Sequence, residues 1–336
     1  MNKRWILLLI FIALGALAWI LHSRSTPSTL AGPLSDFSVA DTARVDRIFI
    51  ADQAGRSVDL RRTREGWTVD QKYKAKQHDV DMLLRTFKRV EVRSPVPKST
   101  ENTVLRVMGA SAKRVEIYEG GEKPSKIWIV GHGTKDHFGT YMLLEKPGLG
   151  RSDVPFIMAL SGFTGILTPR FHTELDQWRS STVFQFADLH QLESVEVEHP
   201  QVPYESFRIE NLERGKVRMT DLQGAPVTFD TVLVKATLLP YQQLNYEYIE
   251  RSLKQHQRDS LLATTPNHIL RVKERDGEER EMKLWYRPYQ GEESQWEERF
   301  LHDKVRMHAL LDDTLLVVVQ REHFDRLTPP ASLLKH

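Results

Sequence analysis

The sequence predicts an α+β protein: a single amino-terminal transmembrane helix followed by two tandem, duplicated domains of antiparallel sheet with covering helices. Three observations carry that prediction. Phe37–Ile50 (FSVADTARVDRIFI) lies over Phe184–Val197 (FQFADLHQLESVEV) without a gap, so that Phe37, Ala40 and Asp41 recur as Phe184, Ala187 and Asp188. The apolar positions Val45, Ile48 and Ile50 recur as Leu192, Val195 and Val197. Each copy runs through strands, one amphipathic helix and strands again, the order of an α+β sandwich rather than of an alternating parallel fold. Trp5–Leu21 (WILLLIFIALGALAWIL) is an unbroken apolar run. A repeat spacing of roughly 150 residues is that of whole domains, not of a solenoid of small units.

Taken in order, the apolar run of 17 residues reaches most of a hydrocarbon core at about 1.5 Å per residue. Lys3 and Arg4 precede it, which orients the amino terminus to the cytoplasm and residues 22–336 to the periplasm. Ala16-Leu17-Ala18 has the form of a cleavage site, but cutting there leaves an apolar Trp19-Ile20-Leu21 terminus, so an uncleaved anchor is favoured. Residues 22–36, rich in Ser, Thr, Pro and Gly, read as a linker. Alternating strands are expected over Val45–Ile50, Ser57–Arg62 and Trp67–Asp70, and again over Leu192–Val197, Ser206–Ile209 and Val217–Met219. A helix follows in which Val80, Leu83, Leu84, Phe87 and Val90 share a face, with Asp79 as cap. Its second copy follows Asp230, placing Phe229, Val232, Leu233, Ala236 and Leu239 on the sheet. The connection is then short and Pro-bounded in copy one and a longer helix, about Tyr241–Leu262, in copy two. Strands resume with Val115, Ile117, Ile127 and Ile129 over Leu270, Val272, Met282 and Leu284, and close with Phe156–Leu160 and Leu315–Val319. The domains are thus 37–166 and 184–327, with a connector at 167–183 and a tail at 328–336.

Composition narrows the chemistry. With 336 residues, 40% apolar and no cysteine, the chain can bury two cores but has no disulfide, thiolate metal site or thiol nucleophile. A formal charge of +2 does not point to nucleic acid. There is no phosphate-binding glycine loop and no HExxH. Gly131-x-Gly133 lacks the third glycine of a dinucleotide site, and Ala159 stands where a nucleophile elbow needs glycine.

Two polar clusters remain. His132, Asp136 and His137 fall in one hairpin turn and could hold a divalent metal with His172, Glu174 and Asp176, although turns collect these residue types for solvation and backbone geometry alone. The matching hairpin of the second copy carries Tyr286, Tyr289 and Trp296 among Glu292, Glu293, Glu297 and Glu298. These three aromatics are the candidate partner-binding residues, since elaborated tips are where a duplicated scaffold places recognition.

The Val45–Ile50 strand, Gly66-Trp67-Thr68-Val69, the helix Asp79-Val80-x-x-Leu83-Leu84-x-x-Phe87 and the Gly131 turn leading to Tyr141-Met142-Leu143 stand behind an amino-terminal anchor. Together they resemble the bacterial family known as domain of unknown function 4340. Lys216, standing at the place of Trp67, is where the second copy departs. Members of that family are often encoded beside ABC-type transport systems of the gliding-motility kind. The resemblance implies an accessory envelope role and transfers no catalytic, cofactor or ligand residue. The expected function is a non-enzymatic binding protein of the bacterial inner membrane, partnered by membrane proteins such as ABC-type transporter components. The alternative is a metal-dependent envelope hydrolase using His132, Asp136 and His137.

Overall fold

In the computed structural model, which describes residues 34–212, 215–288 and 302–335, the chain divides after Ser180 into two bodies, each dominated by one antiparallel sheet. The apolar run Trp5–Leu21, most of the linker, Tyr289 and Trp296 lie outside the described residues. Among the described residues no helix is long and apolar enough to cross a membrane.

The first body opens with a 3-10 turn, Thr42–Arg44, capped by the Asp41 carboxylate, which accepts from Ala43 N–H at 3.0 Å. Strands β1 (Arg47–Ala51), β2 (Ser57–Thr63), β3 (Gly66–Val69) and β4 (Tyr73–Lys74) form a meander. Then come helix α1 (Gln77–Arg89), β5 (Val90–Pro95) and helix α2 (Lys98–Ser111). Strands β6 (Lys113–Tyr118), β7 (Lys126–Gly133), β8 (Thr140–Lys146), β9 (Gly150–Arg151) and β10 (Phe156–Leu160) precede a single-turn helix α3 (Leu175–Trp178). The sheet order is β4-β3-β2-β1-β6-β7-β8-β10-β5, with β9 on β8. Alternation sends Ile48, Ile50, Val58, Leu60, Val115, Ile117 and Trp128 to one face, where α1 closes the core with Val80, Leu83 and Phe87. Helix α2 covers part of the other face, packing Val104 and Met108 on Leu143. A Cβ on Gly131 would come within 2.7 Å of Met108, so glycine is what lets α2 approach the strand.

The second body contains β11 (Thr182–Gln185), a 3-10 turn Leu189–Gln191 capped by Asp188, then β12 (Leu192–Glu198), β13 (Phe207–Asn211) and β14 (Val217–Thr220). Helix α4 (Thr231–Leu238), β15 (Gln243–Asn245), β16 (Tyr248–Ile249) and helix α5 (Gln255–Leu262) follow. Strands β17 (His268–Glu274), β18 (Glu279–Pro288), β19 (His302–Leu311) and β20 (Leu315–Gln320) complete the sheet before helix α6 (Arg321–Leu327). The order is β14-β13-β12-β17-β18-β19-β20-β16, with β11 paired to β15 in a separate ribbon. The registers of the two bodies agree. Ile48 pairs with Leu60 and Ile117, and Val195 pairs with Ile209 and Val272. The two recurring aspartates cap equivalent turns.

Several sequence expectations are corrected. Val115 pairs with Trp128 and Leu270 with Met282, so the counterpart of Met282 is Trp128 rather than Ile127. A slip of one residue exchanges the faces of a strand, and Ile129 indeed packs under α2 on the outer face. Trp285 then holds the register place of Gly131, and its indole packs under α5 with Leu261 and Leu262. Trp67 lies across from Arg62 and Val217 across from Asn211, so Val217, not Lys216, is the counterpart of Trp67. Asp79 sits in the first turn of α1 but is not its cap. The cap position is Lys76, in extended conformation, with its N–H donating to the Trp178 carbonyl at 2.7 Å.

The connection in copy one is a full helix, α2, for which Pro97 is the N-cap residue rather than a breaker. In copy two the expected helix over 241–262 survives only as α5, because β15 and β16 are drawn into pairing with β11 and β20. The expected connector contributes Leu167, Phe171 and Trp178 to the first core, and the expected tail contributes Ala331 and Leu334 to the second.

Candidate functional site

Helix α4 is apolar on two sides. Its cap, Asp230, accepts from Val232 and Leu233 N–H at 2.7 and 3.1 Å, and the inward face presents Val234 and Leu238, continued by Tyr241 in the next turn. Of the stripe expected from sequence to face the sheet, Phe229 packs on the core, but the rest points outward: Val232 is 75% exposed, Leu239 60% and Leu233 43%, with Ala236 exposed between them. With the N-caps Lys76 and Asp230 aligned, the core residues Val80, Leu84 and Phe87 match Val234, Leu238 and Tyr241. The exposed His78 and Arg85 and the half-buried Asp79 and Met82 match Val232, Leu239, Leu233 and Ala236 respectively. One scaffold thus carries an outer helix face that is polar apart from Met82 in the first body and apolar throughout in the second. Beside Leu239 lies an open groove of about 560 Å³ walled by Phe186, Ala187 and Pro240 and by the carboxamide residues Gln185, Gln242 and Gln243. None of its lining residues is ionisable.

A second constellation lies at the base of the β18–β19 hairpin. Tyr286 is half-buried, with its ring stacked on His302 at 5.2 Å and covered by the Arg321 guanidinium at 4.6 Å. Its hydroxyl is 3.1 Å from His268 Nε2, His268 Nδ1 is 2.9 Å from His199 Nδ1, and His199 Nε2 is 3.1 Å from the Pro329 carbonyl oxygen. Burial, with the neighbouring His199 and Arg321, lowers the His268 pKa to about 4. Burial also lowers that of His199, against the pull of the Pro329 carbonyl and Glu205. The ring of Tyr286 is therefore engaged within its own body. Sequence reading missed His199 and His268. The antiparallel register that sets Glu198 against Ile269 places them opposite one another, so the pairing of first and later strands held the signal.

The residues of the hydrolase alternative are not brought together. His132, in β7, lies against Tyr141 with its buried Nδ1 unpartnered, while His137 is exposed at the tip with φ of 60°. Asp136 accepts from the Thr134 hydroxyl and from Phe138 N–H, which lower its pKa in that order and close the turn. Glu174 pairs with Arg56 at 2.7 Å, and the His172 carbonyl accepts from the Trp178 indole at 3.0 Å. Among the described residues no group of three His, Asp or Glu side chains is arranged to hold a metal ion.

Glu250 and His308 form a buried pair at 3.2 Å, and the Ser252 N–H and hydroxyl both donate to the Glu250 carboxylate rather than to the imidazole. Compared with known proteins, the chain matches no family model, no curated protein and no solved structure.

Proposed function

We propose that this is a single-pass, membrane-anchored accessory protein of the bacterial envelope that acts by binding, with the second body holding an apolar segment of an integral membrane partner such as an ABC-type transporter component. The observation that carries this reading is the outward stripe Val232, Leu233, Ala236 and Leu239 on α4. Exposed apolar groups that recur at helical spacing beside an uncharged groove fit an apolar, uncharged occupant. His78, Asp79 and Arg85 at the matching places of α1 support the view that the scaffold itself does not require apolar residues there. The apolar run Trp5–Leu21 and the family resemblance support placement at the inner membrane, and the agreeing registers support descent of the two bodies from one duplicated domain. A second copy of the chain fits the stripe less well, because a two-fold pairing about Ala236 would bring two Lys235 ammoniums together.

The test is chemical crosslinking in intact cells with full-length protein, wild type against Val232→Asp/Leu239→Asp. The expected result is one adduct with an integral inner-membrane protein that the double variant loses while keeping its unfolding midpoint. An adduct unaffected by the substitutions, or only a homodimer or lipid adduct, would overturn the reading.

A further inference from the structure

We propose that the His199–His268–Tyr286 chain is a protonation-operated latch, fastening the C-terminal segment Thr328–Lys335 to the second body at neutral pH and releasing it in acid. The direction of every hydrogen bond in the chain follows from its last acceptor. A carbonyl oxygen can only accept, so His199 Nε2 carries the proton that meets the Pro329 oxygen at 3.1 Å. Neutral His199 then has a bare Nδ1, which accepts from His268 Nδ1–H at 2.9 Å. Neutral His268 is left with a bare Nε2, which accepts from the Tyr286 hydroxyl at 3.1 Å. Each group has one role and no spare proton site.

Acid spoils this arrangement at both rings. A proton on His199 Nδ1 sets two N–H groups head to head and buries a charge. The Nε2–H still donates to Pro329, so the drive to open is the cost of an imidazolium 7% exposed beneath the segment. A proton on His268 Nε2 turns the Tyr286 hydroxyl away and leaves a half-buried cation beside the Arg321 guanidinium. The charged and titratable groups around the chain are Arg321 and Asp325 of α6, His302 of β19 and Glu205 of the Pro203–Glu205 turn. Glu205 also accepts from Ser332 N–H at 2.7 Å, and that contact holds its carboxyl below the usual range, so it stays ionised through mildly acidic pH. What the latch holds is specific: Ala331 and Leu334 are buried, and the Leu334 carbonyl accepts from Asp230 N–H at 2.8 Å.

Burial lowers the pKa of both imidazoles in the closed state, so opening is favoured increasingly as pH falls below about 6.5. The inference stands whether or not α4 binds a partner. Its test is amide exchange on the full-length protein across that range, corrected for intrinsic exchange. Protection of the Asp230 and Ser332 amides should fall severalfold while that of β1 and β6 in the first body holds. His199→Gln/His268→Gln, which keeps donors and acceptors but cannot titrate, should flatten the response. Should that variant fail to fold, nitrogen NMR of labelled histidines in the wild type decides: the latch requires His268 as the Nδ1–H tautomer and His199 as Nε2–H. Exchange in residues 328–335 that is independent of pH, or the opposite tautomers, would overturn it.

Discussion

Phe87 is fully enclosed, edge-on to Trp128 with ring centroids 5.0 Å apart, and its role is to tie α1 to the sheet. Phe87→Ala should lower unfolding free energy by about 3–5 kcal/mol in urea titration, and a loss under about 1 kcal/mol would show that the site collapses around the gap. At His199, His268 and His308 the sign of the pH effect is fixed by burial, which lowers all three pKa values in the fold. Unfolded imidazole titrates near about 6.5, so below that the unfolded chain binds more protons than the folded one. Stability is full above about pH 6.5 and falls as pH drops toward the folded values, about 4 for His268. Urea midpoints measured from about pH 7 to 5 should therefore decline, and replacing the three histidines with Gln should reduce the slope. At this scale the sequence was readable where a residue serves its own neighbourhood. Asp41 and Asp188 recur because each caps the turn it starts. His199 and His268 serve a contact between distant strands and were invisible one at a time.

Helix α4 shows why periodicity alone misassigned a face. Apolar residues occupy both sides, so the spacing of Val232, Leu233, Ala236 and Leu239 was as good a core stripe as Val234, Leu238 and Tyr241. What chooses between them is the cap at Asp230 and the meander that delivers the chain to it. The two assignments predict opposite mutational patterns. Leu239→Asp and Val232→Asp should change stability by no more than about 0.5 kcal/mol, whereas Leu238→Ala should cost about 2–5 kcal/mol. Large losses at both outward sites would restore the face expected from sequence. Helix α2 escaped notice for a different reason: Pro95 and Pro97 read as stops, yet a proline just before a helix costs no hydrogen bond, since the first amides have no partner within the helix. The strands were legible because period two, combined with the gapless repeat at Phe37 and Phe184, fixes both face and register. The repeat slipped by a residue at β3 and β14, past a turn, and again at β7 and β18, where both faces are apolar and alternation no longer discriminates.

At the scale of the whole molecule, two bodies share one strand path and differ in how they finish their surfaces. The first closes the outer side of its sheet with a long helix over glycine, the second with a short helix over Trp285, and only the second leaves an apolar helix stripe outside. Copies that agree in core and differ at the surface are what duplication followed by specialisation of one copy would leave, and the proposed function places that specialisation at the α4 stripe. Site-specific photo-crosslinking tests this most directly, with the reactive residue placed at 232, 233, 236 or 239 of the full-length protein in intact cells, and at 78, 79, 82 or 85 as the matched face of the first body. The account predicts adducts to one integral inner-membrane protein from the α4 positions and none from the α1 positions. Equal labelling from both faces, or none from α4, would contradict it.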